Sequence, residues 1–398
     1  MPKITMNTKI KLKMIYTPMF IGRFFLCIAF ALSAFPLVSQ ESEGNLKALE
    51  ISYLFEAGTE GYACFRIPAI VTTNEGTLLA FAEGRKNGCS DTGSIDLVMK
   101  RSTDGGRSWS GLLVVWQDGE NTCGNPAPVV DRTTGDIFLL STWNLGEDHE
   151  SEIIAQTSKD TRRVFLLKST DEGLHWSKPK EITADVKLPS WTWYATGPGS
   201  GIQLLGGAYK DRLVIACDHI EEVTKKYYSH IIYSDDHGES WRLGGSTPKD
   251  QVNECEVVEL SDHNLMLNMR NYDRSKSSRQ LAFSLDGGES WQNMHHHQTL
   301  IEPICQASTL RVDYQGQPAI LFLNPADKKE RRNMTLRLSR DNGKSWPVEK
   351  QIFSGPSAYS DLTLVDKENI GILYEGGLQS AYQGIIWESV SLGELIGL

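Results

Sequence analysis

Residues 102–109 read STDGGRSW, and this pattern of Ser-x-Asp-x-Gly-x-x-Trp decides the fold because the chain contains it five times. It returns as STDEGLHW at 169–176, SDDHGESW at 234–241, SLDGGESW at 284–291 and SRDNGKSW at 339–346. Four fixed residues in eight, with the aspartates 67, 65, 50 and 55 residues apart, indicate one structural unit repeated along the chain.

The motif has the chemistry of a tight turn. An Asp side chain accepts hydrogen bonds from nearby backbone N–H groups, Gly adopts the positive φ that a sharp reversal needs, and Trp folds back as an apolar plug. A strand-like run precedes each copy, at residues 95–100, 164–168, 230–233, 281–283 and 335–338. Because five equivalent positions in a ring cannot converge on one site, we interpret the repeated aspartates as structural.

Several strands per repeat, with few windows of helical periodicity, predict an all-β fold. The spacing favours a six-bladed β-propeller of four-stranded antiparallel blades, in which five blades carry the motif and a terminal blade lacks it. Since no linker and no shift in composition follow residue 46, we predict a single domain over residues 46–398.

Residues 1–40 have the composition of a secretory signal peptide. They carry five basic residues and no acidic ones, and the apolar run at 24–38 is shorter than the roughly 20 residues needed to span a bilayer. A membrane anchor is the alternative interpretation of this run. We predict a signal peptide over 1–40, a secreted or periplasmic product, and no membrane insertion once the signal is removed.

Beyond residue 40 the chain is acidic, with 35 Lys and Arg against 50 Asp and Glu. A surface of this sign repels nucleic acid, so we predict no nucleic-acid partner. An anionic small substrate would need local cations that override this field. The six cysteines in this part form no CxxC pair, which argues against a zinc site. We expect buried free thiols, with one disulfide as the alternative in an oxidising compartment.

In a propeller, function is expected at the central channel, on residues that do not repeat. Arg66 in the sequence FRIP, Arg270 after the apolar run LMLNM, and the pair Arg331-Arg332 before a strand each place a cation at the end of a buried-looking strand. Burying an arginine is costly unless it meets an anion. Since guanidinium groups bind carboxylates in a bidentate manner, arginines at these three positions predict a carboxylate-binding cluster.

FRIP near the start, followed by several SxDxGxxW turns, resembles the sialidase (neuraminidase) family, in particular bacterial exo-α-sialidases. The resemblance runs from about residue 51 to the C-terminus. It implies that Arg66, Arg270 and Arg331 hold the carboxylate of a sialic acid, with Arg332 as the alternative to Arg331.

The same resemblance implies the catalytic residues. They are Asp91 in GCSDTG as the acid/base, Tyr359 in SAYSDL as the nucleophile, and Glu254 in NEC as the residue that assists the nucleophile. A neutral phenol suits this substrate, because a carboxylate nucleophile would approach the anionic sugar against like charge. The other substrate-side residues that the resemblance implies are Arg85, Glu375 as the brace of the first arginine, Trp143, Asp148 and, of the pair Trp193-Tyr194, Tyr194.

We therefore expect an exo-α-sialidase that hydrolyses terminal α-linked sialic acid from glycoproteins, glycolipids and oligosaccharides with retention. The expected partners are sialylated glycans, and we expect a monomer with no cofactor and no catalytic metal, a structural calcium staying open. A trans-sialidase with the same residues is one alternative. A non-catalytic propeller that binds glycans or proteins is the other, and such a propeller would lack the Tyr, Glu and Asp set.

Overall fold

A computed structural model describes residues 51–397, and within this range the chain is almost entirely β-strand. The strands form six four-stranded antiparallel blades that follow one another in sequence order, and each blade contacts its neighbours around the ring. The predicted all-β, six-bladed propeller is therefore confirmed. The predicted signal peptide, residues 1–40, lies outside the described residues.

The first three blades follow strand β1 (Tyr53–Glu56), which belongs to the last blade. Blade 1 consists of β2 (Cys64–Thr72), β3 (Leu78–Arg85), β4 (Ile95–Ser102) and β5 (Leu113–Trp116). Blade 2 consists of β6 (Thr122–Val130), β7 (Ile137–Asn144), β8 (Arg163–Ser169) and β9 (Lys180–Glu181). Blade 3 consists of β10 (Trp191–Thr196), β12 (Leu213–Glu221), β13 (Tyr227–Ser234) and β14 (Arg242–Ser246), with β11 (Ile202–Gln203) beside β12.

The last three blades complete the ring. Blade 4 consists of β15 (Val252–Glu259), β16 (Leu265–Asn271), β17 (Ser278–Ser284) and β18 (Gln292–Ile301). Blade 5 consists of β19 (Ser308–Tyr314), β20 (Gln317–Pro325), β21 (Arg332–Ser339) and the first half of β22 (Val348–Leu364). Blade 6 consists of the second half of β22, β23 (Asn369–Gly376), β24 (Gly384–Ser391) and β1. Four short helical segments are α1 (Glu150–Ala155), α2 (Thr183–Val186), a 3₁₀ turn (Gly207–Tyr209) and α3 (Leu392–Ile396).

Two connections hold the last blade in place. β1 pairs with β24, with Phe55 opposite Ile385, so blade 6 takes its outer strand from the N-terminal side of the described chain. β22 is 17 residues long because its first half is the outer strand of blade 5 and its second half, from Ser357, is the inner strand of blade 6. Tyr359 therefore lies on a strand that is paired in two blades.

The five repeated motifs form identical turns between the third and fourth strands of blades 1 to 5. In the fourth copy, Asp286 accepts hydrogen bonds from Ser284 Oγ (2.7 Å) and from the backbone N of Ser290 (2.9 Å), and Gly288 N donates to Ser284 Oγ (2.8 Å). Gly288 has φ +95°. The same contacts recur around Asp104, Asp171, Asp236 and Asp341. The structural interpretation of these aspartates is confirmed.

The tryptophans of the motif fill gaps between blades. Trp176 packs edge-on against Phe81 of the preceding blade, and Trp241 packs in the same way against Phe138. The three copies in blades 3 to 5 bury their Trp almost completely. The turn thus fixes the outer rim of each blade and supplies part of the core at the same time.

One cysteine pair is oxidised. Cys64 and Cys89 form a disulfide, whereas the four other cysteines of the described chain are buried free thiols: Cys123, Cys217, Cys255 and Cys305. Among residues 51–397 no helix has the length and apolar character to cross a membrane. Within the same residues no group of three or more His, Cys, Asp or Glu side chains is arranged to hold a metal ion.

Replacement of a turn aspartate tests the structural interpretation. Asp286→Ala removes the acceptor on which the fourth turn closes, so we expect the free energy of unfolding to fall by about 1–2 kcal/mol in urea denaturation. The matched control is Leu285→Ala next to it, whose side chain is exposed and should change the value by less than about 0.5 kcal/mol. Equal stability of the two variants would show that the aspartate does not hold the turn.

Candidate active site

A pocket of about 230 Å³ opens where the inner strands meet at the ring axis. Its wall draws on all six blades, and five arginines and five carboxylates line it. The lining residues are Arg66, Ile67, Glu83, Arg85, Asp91, Asn125, Glu150, Arg162, Trp193, Ala195, Asp218, Asn253, Glu254, Arg270, Tyr272, Arg331, Tyr359 and Tyr382. No aspartate of the turn motif is among them.

Tyr359 and Glu254 form the centre of this pocket. The phenol Oη of Tyr359 donates to the Glu254 carboxylate, with distances of 2.7 and 2.8 Å to its two oxygens. Arg270 Nη1 donates both to Glu254 Oε2 (2.6 Å) and to Tyr359 Oη (2.9 Å). Three residues from β22, β15 and β16 are thus joined in one hydrogen-bonded cluster.

The guanidinium groups of Arg66 and Arg331 both lie near the ring of the same tyrosine. Their central carbons are 5.1 and 5.5 Å from the Tyr359 ring centroid. Arg331 also donates to Tyr382 Oη (3.0 Å), whereas the neighbouring Arg332 is half exposed and pairs with Glu330 at 3.7 Å. The structure therefore brings Arg331, and not Arg332, to the pocket.

A fully buried carboxylate, Glu375, fixes this side of the pocket. Its Oε1 accepts from Arg66 Nε (2.7 Å) and from the backbone N of Ile67 (2.9 Å), and its Oε2 accepts from the backbone N of Tyr359 (3.2 Å). Ile67 has φ +57°, a conformation that a β-branched residue rarely adopts. The carboxylate holds this strained residue in place and leaves the Nη groups of Arg66 directed to the pocket.

Asp91 lies across the pocket on the loop between β3 and β4. Its Oδ1 accepts from Arg85 Nη1 at 2.7 Å and lies 3.7 Å from Arg66 Nη1. Its side chain is 73% exposed, in contrast to the buried Tyr359. Arg85 in turn is held by the buried Glu83, at 2.6 Å from Nη2.

The surroundings shift the pKa values of the two groups in opposite directions. Burial, followed by the negative charge of Glu254, raises the pKa of Tyr359 well above its ordinary value, with Arg270 and Arg331 opposing the shift. Partial desolvation would raise the pKa of Asp91, but the Arg85 and Arg66 guanidinium groups outweigh it and lower the pKa below the ordinary value. The resting pocket therefore holds a neutral phenol opposite a carboxylate.

Sequence reasoning missed Arg162 and Asn125, which form a second polar wall together with Trp193, a member of the Trp193-Tyr194 pair. The buried Arg162 guanidinium donates to Asn125 Oδ1 and lies 4.2 Å above the Trp193 ring. Its direct partners in the described chain are neutral, including Asn144 Oδ1 at 2.6 Å. The signal available in the sequence was the arginine pair Arg162-Arg163, directly before the strand-like run at residues 164–168.

Asp218 was missed as well. It lies on β12 at 1% exposure, its Oδ1 accepts from Asn253 Nδ2 (2.7 Å), and its Oδ2 has no partner among the described residues. Burial, with Glu254 and Glu150 nearby, raises the pKa of Asp218 well above its ordinary value, which favours the neutral acid. A lone acid in the apolar run LVIACDHI was the signal that could have found it.

Four residues expected at the pocket are not in its wall, and of these Glu375 braces Arg66 as described above. Trp143 lies at the end of β7, where its Nε1 donates to Asp118 (2.7 Å). Asp148 is buried and accepts from the backbone N of Lys159 (2.9 Å), so it holds a loop. Tyr194 is fully buried in the core between blades 2 and 3, while Trp193 beside it faces the pocket. The expectation for Trp143, Asp148 and Tyr194 is corrected accordingly.

Comparisons with known proteins agree with this geometry. A family model described as a BNR repeat-like domain matches residues 76–373. The chain is 34% identical over 361 residues to a sialidase of Bacteroides fragilis, covering 85% of this chain and 64% of that protein. It is 31% identical over 376 residues to an exo-alpha-sialidase of Aspergillus fumigatus, covering 84% of this chain and 86% of that protein.

A solved structure is also similar. The Hadza microbial sialidase Hz136 superposes with a TM-score of 0.79 at 32% identity, over 87% of this chain and 69% of that chain. The chain spans slightly less than two thirds of the Bacteroides fragilis relative, at 64% of its length.

The adjacent pair Arg331 and Arg332 offers a matched test of the pocket. Arg331→Ala should weaken binding of free sialic acid by about tenfold or more, because it removes a cation that faces Tyr359. Arg332→Ala should bind as the unaltered chain does, since the Arg332 side chain is half exposed and does not line the pocket. Isothermal titration calorimetry measures both, and a larger loss for Arg332→Ala would contradict the geometry.

Proposed function

The chain belongs to the sialidase family, and on that premise we propose that it is an exo-α-sialidase that hydrolyses terminal α-linked sialic acid from glycans with retention of configuration. The observation that carries this proposal is the cluster of Tyr359, Glu254 and Arg270, with two further guanidinium groups against the same phenol. The proposed substrates are sialylated glycans.

The arrangement of charge supports a carboxylated substrate. Arg66 and Arg331 lie near the Tyr359 ring and Arg270 contacts its hydroxyl, and guanidinium groups bind carboxylates through paired N–H donors. They supply a local positive field within a chain whose formal net charge is −10. A sugar carboxylate held by them would bring the adjacent anomeric carbon towards Tyr359.

Tyr359 is the proposed nucleophile. In the first step its oxygen bonds to the anomeric carbon while the glycosidic C–O bond breaks, and its proton passes to Glu254. Because the ordinary pKa values of Tyr and Glu differ by roughly 6, complete transfer beforehand would cost about 8 kcal/mol. Burial raises the pKa of Tyr359 further, so transfer coupled to attack is favoured over a resting phenolate.

Asp91 is the proposed acid/base. It would protonate the departing glycosidic oxygen, and in the second step it would accept a proton from the water that displaces Tyr359. Binding of the substrate carboxylate to Arg66 would offset part of the positive charge beside Asp91. The event that places the sugar therefore raises the pKa of Asp91, so that its carboxylate takes up from solvent the proton that it then donates to the leaving oxygen.

We further propose that the protein acts in an oxidising compartment. The supporting observation is the Cys64–Cys89 disulfide in a chain whose four other described cysteines are free. The basic and apolar composition of residues 1–40 is consistent with export.

Removal of the phenol oxygen tests the proposed function. Tyr359→Phe should lower hydrolysis of a fluorogenic α-sialoside by about a thousandfold or more while the fold is retained, because the nucleophile is absent. In the unaltered protein, NMR of the reaction should show the α-anomer of sialic acid as the first product. Release of the β-anomer first, or full activity of Tyr359→Phe, would overturn the proposed mechanism.

The pH dependence tests the pairing of Asp91 with Arg85. The Arg85 cation stabilises the carboxylate, so Arg85→Met should raise the pKa of Asp91 and shift the alkaline limb of kcat upward by about one pH unit. Lys86→Met is the control, since Lys86 pairs with Asp96 instead. The profile is measured with 3′-sialyllactose, and a downward shift for Arg85→Met would exclude Asp91 as the proton donor.

A further inference from the structure

The proposed acid/base, Asp91, lies on a different kind of structural element from the other reacting groups. Tyr359 and Glu254 lie on strands, whereas Asp91 lies on residues 86–94, a segment that we name the acid loop. A hydrogen bond from Lys86 N to Ser94 O (3.1 Å) closes it. Residues 89–91 are exposed at its tip, so no apolar core holds Asp91 in place.

The backbone of the acid loop is permissive. Gly88 and Gly93 flank Asp91 with φ of +132° and +110°, and neither has a neighbouring atom within 4 Å of a Cβ built on it. The main non-covalent contacts of the tip come from one side chain. Arg85 Nη1 donates at 2.7 Å both to Cys89 O and to Asp91 Oδ1. On the other side Thr92 Oγ1 contacts His149 Nδ1 at 3.2 Å, at an exposed position.

A covalent bond also holds the tip. Cys89 is exposed on the acid loop, and its partner Cys64 is buried at the start of β2. Cys64 is directly opposite Arg85 in the β2–β3 pair and two residues before Arg66. The disulfide thus ties the acid loop to the strand that carries one of the carboxylate-facing arginines.

We propose that the Cys64–Cys89 disulfide is a positioning element for Asp91, an inference that rests on the proposed function. The ion pair between Arg85 and Asp91 weakens whenever Asp91 takes up a proton, which it must do in order to act as an acid. The disulfide does not depend on the charge of Asp91. The disulfide therefore holds the tip of the acid loop while Asp91 is protonated, when the ion pair with Arg85 is weakened.

This role predicts a dependence on the leaving group. An aryl sialoside releases a stabilised phenolate and needs little help from an acid, whereas 3′-sialyllactose releases a sugar alkoxide that must be protonated. A displaced Asp91 should therefore slow the second substrate much more than the first. A general loss of folding would lower both rates together.

The experiment compares the two substrates in the double variant Cys64→Ala/Cys89→Ser. We expect kcat for 3′-sialyllactose to fall about tenfold more than kcat for the fluorogenic aryl sialoside. Asp286→Ala, which weakens a turn outside the pocket, is the control for lost stability and should leave the ratio of the two kcat values unchanged. An unchanged ratio in the cysteine variant would overturn the proposal, whereas absence of aryl sialoside hydrolysis in the unaltered protein would overturn the proposed function instead.

Two further measurements keep the inference testable if the double variant folds poorly. Dithiothreitol, acting from the exposed Cys89 side, reduces the disulfide of the unaltered protein to two thiols while it is itself oxidised to its cyclic disulfide, and the same change in the ratio of the two kcat values should follow. In an Asp91→Ala background, reduction should leave the ratio unaltered, because the group that the disulfide positions is gone. A change in ratio that persists there would show that the disulfide acts through another residue.

Discussion

The Glu375 carboxylate is the contact on which the pocket depends. A buried carboxylate is costly unless donors surround it, and here three donors come from two different strands: Arg66 Nε and Ile67 N on β2, and Tyr359 N on β22. These strands belong to the first and last blades. One side chain therefore joins the two ends of the propeller ring and sets the distance between an arginine and the tyrosine beside it.

Arginines and carboxylates lie next to one another in the pocket. Arg270 contacts Glu254 at 2.6 Å, and Arg85 contacts Asp91 at 2.7 Å. Arginines at close range let an acidic protein bind an anion, because a ligand carboxylate meets these cations where the field of distant charges is screened. Burial, followed by the negative charge of the Glu254 carboxylate that accepts its hydrogen bond, keeps the Tyr359 phenol protonated.

The sequence predicted the fold well because the repeated motif is a local device whose hydrogen bonds lie within a few residues of each other. The prediction of site residues was weaker where a shift of one residue decides on which face of a strand a side chain lies. In the run WTWY, Trp193 faces the pocket and Tyr194 the core, and neighbouring residues of a strand point to opposite sides. Arg162 and Asp218 were missed for a different reason. Each left a signal in its own segment, but only the pairing of distant strands places it at the pocket.

The division between strands and loop follows from what each group does. A nucleophile attacks along one direction, so Tyr359, the proposed nucleophile, would gain from the rigid β22, which is paired in two blades. Asp91, the proposed acid/base, would exchange partners during a turnover, from Arg85 in the empty pocket to a leaving oxygen and then to water, and would gain from a loop that can shift slightly. The acid loop loses the Arg85–Asp91 ion pair when Asp91 is protonated. A covalent bond, whose strength does not depend on the charge of Asp91, limits the movement of the loop at that step. The Cys64–Cys89 disulfide supplies this bond. Because Cys64 lies two residues before Arg66, which is 3.7 Å from Asp91, the disulfide also limits the change in distance between the acid and the proposed substrate carboxylate.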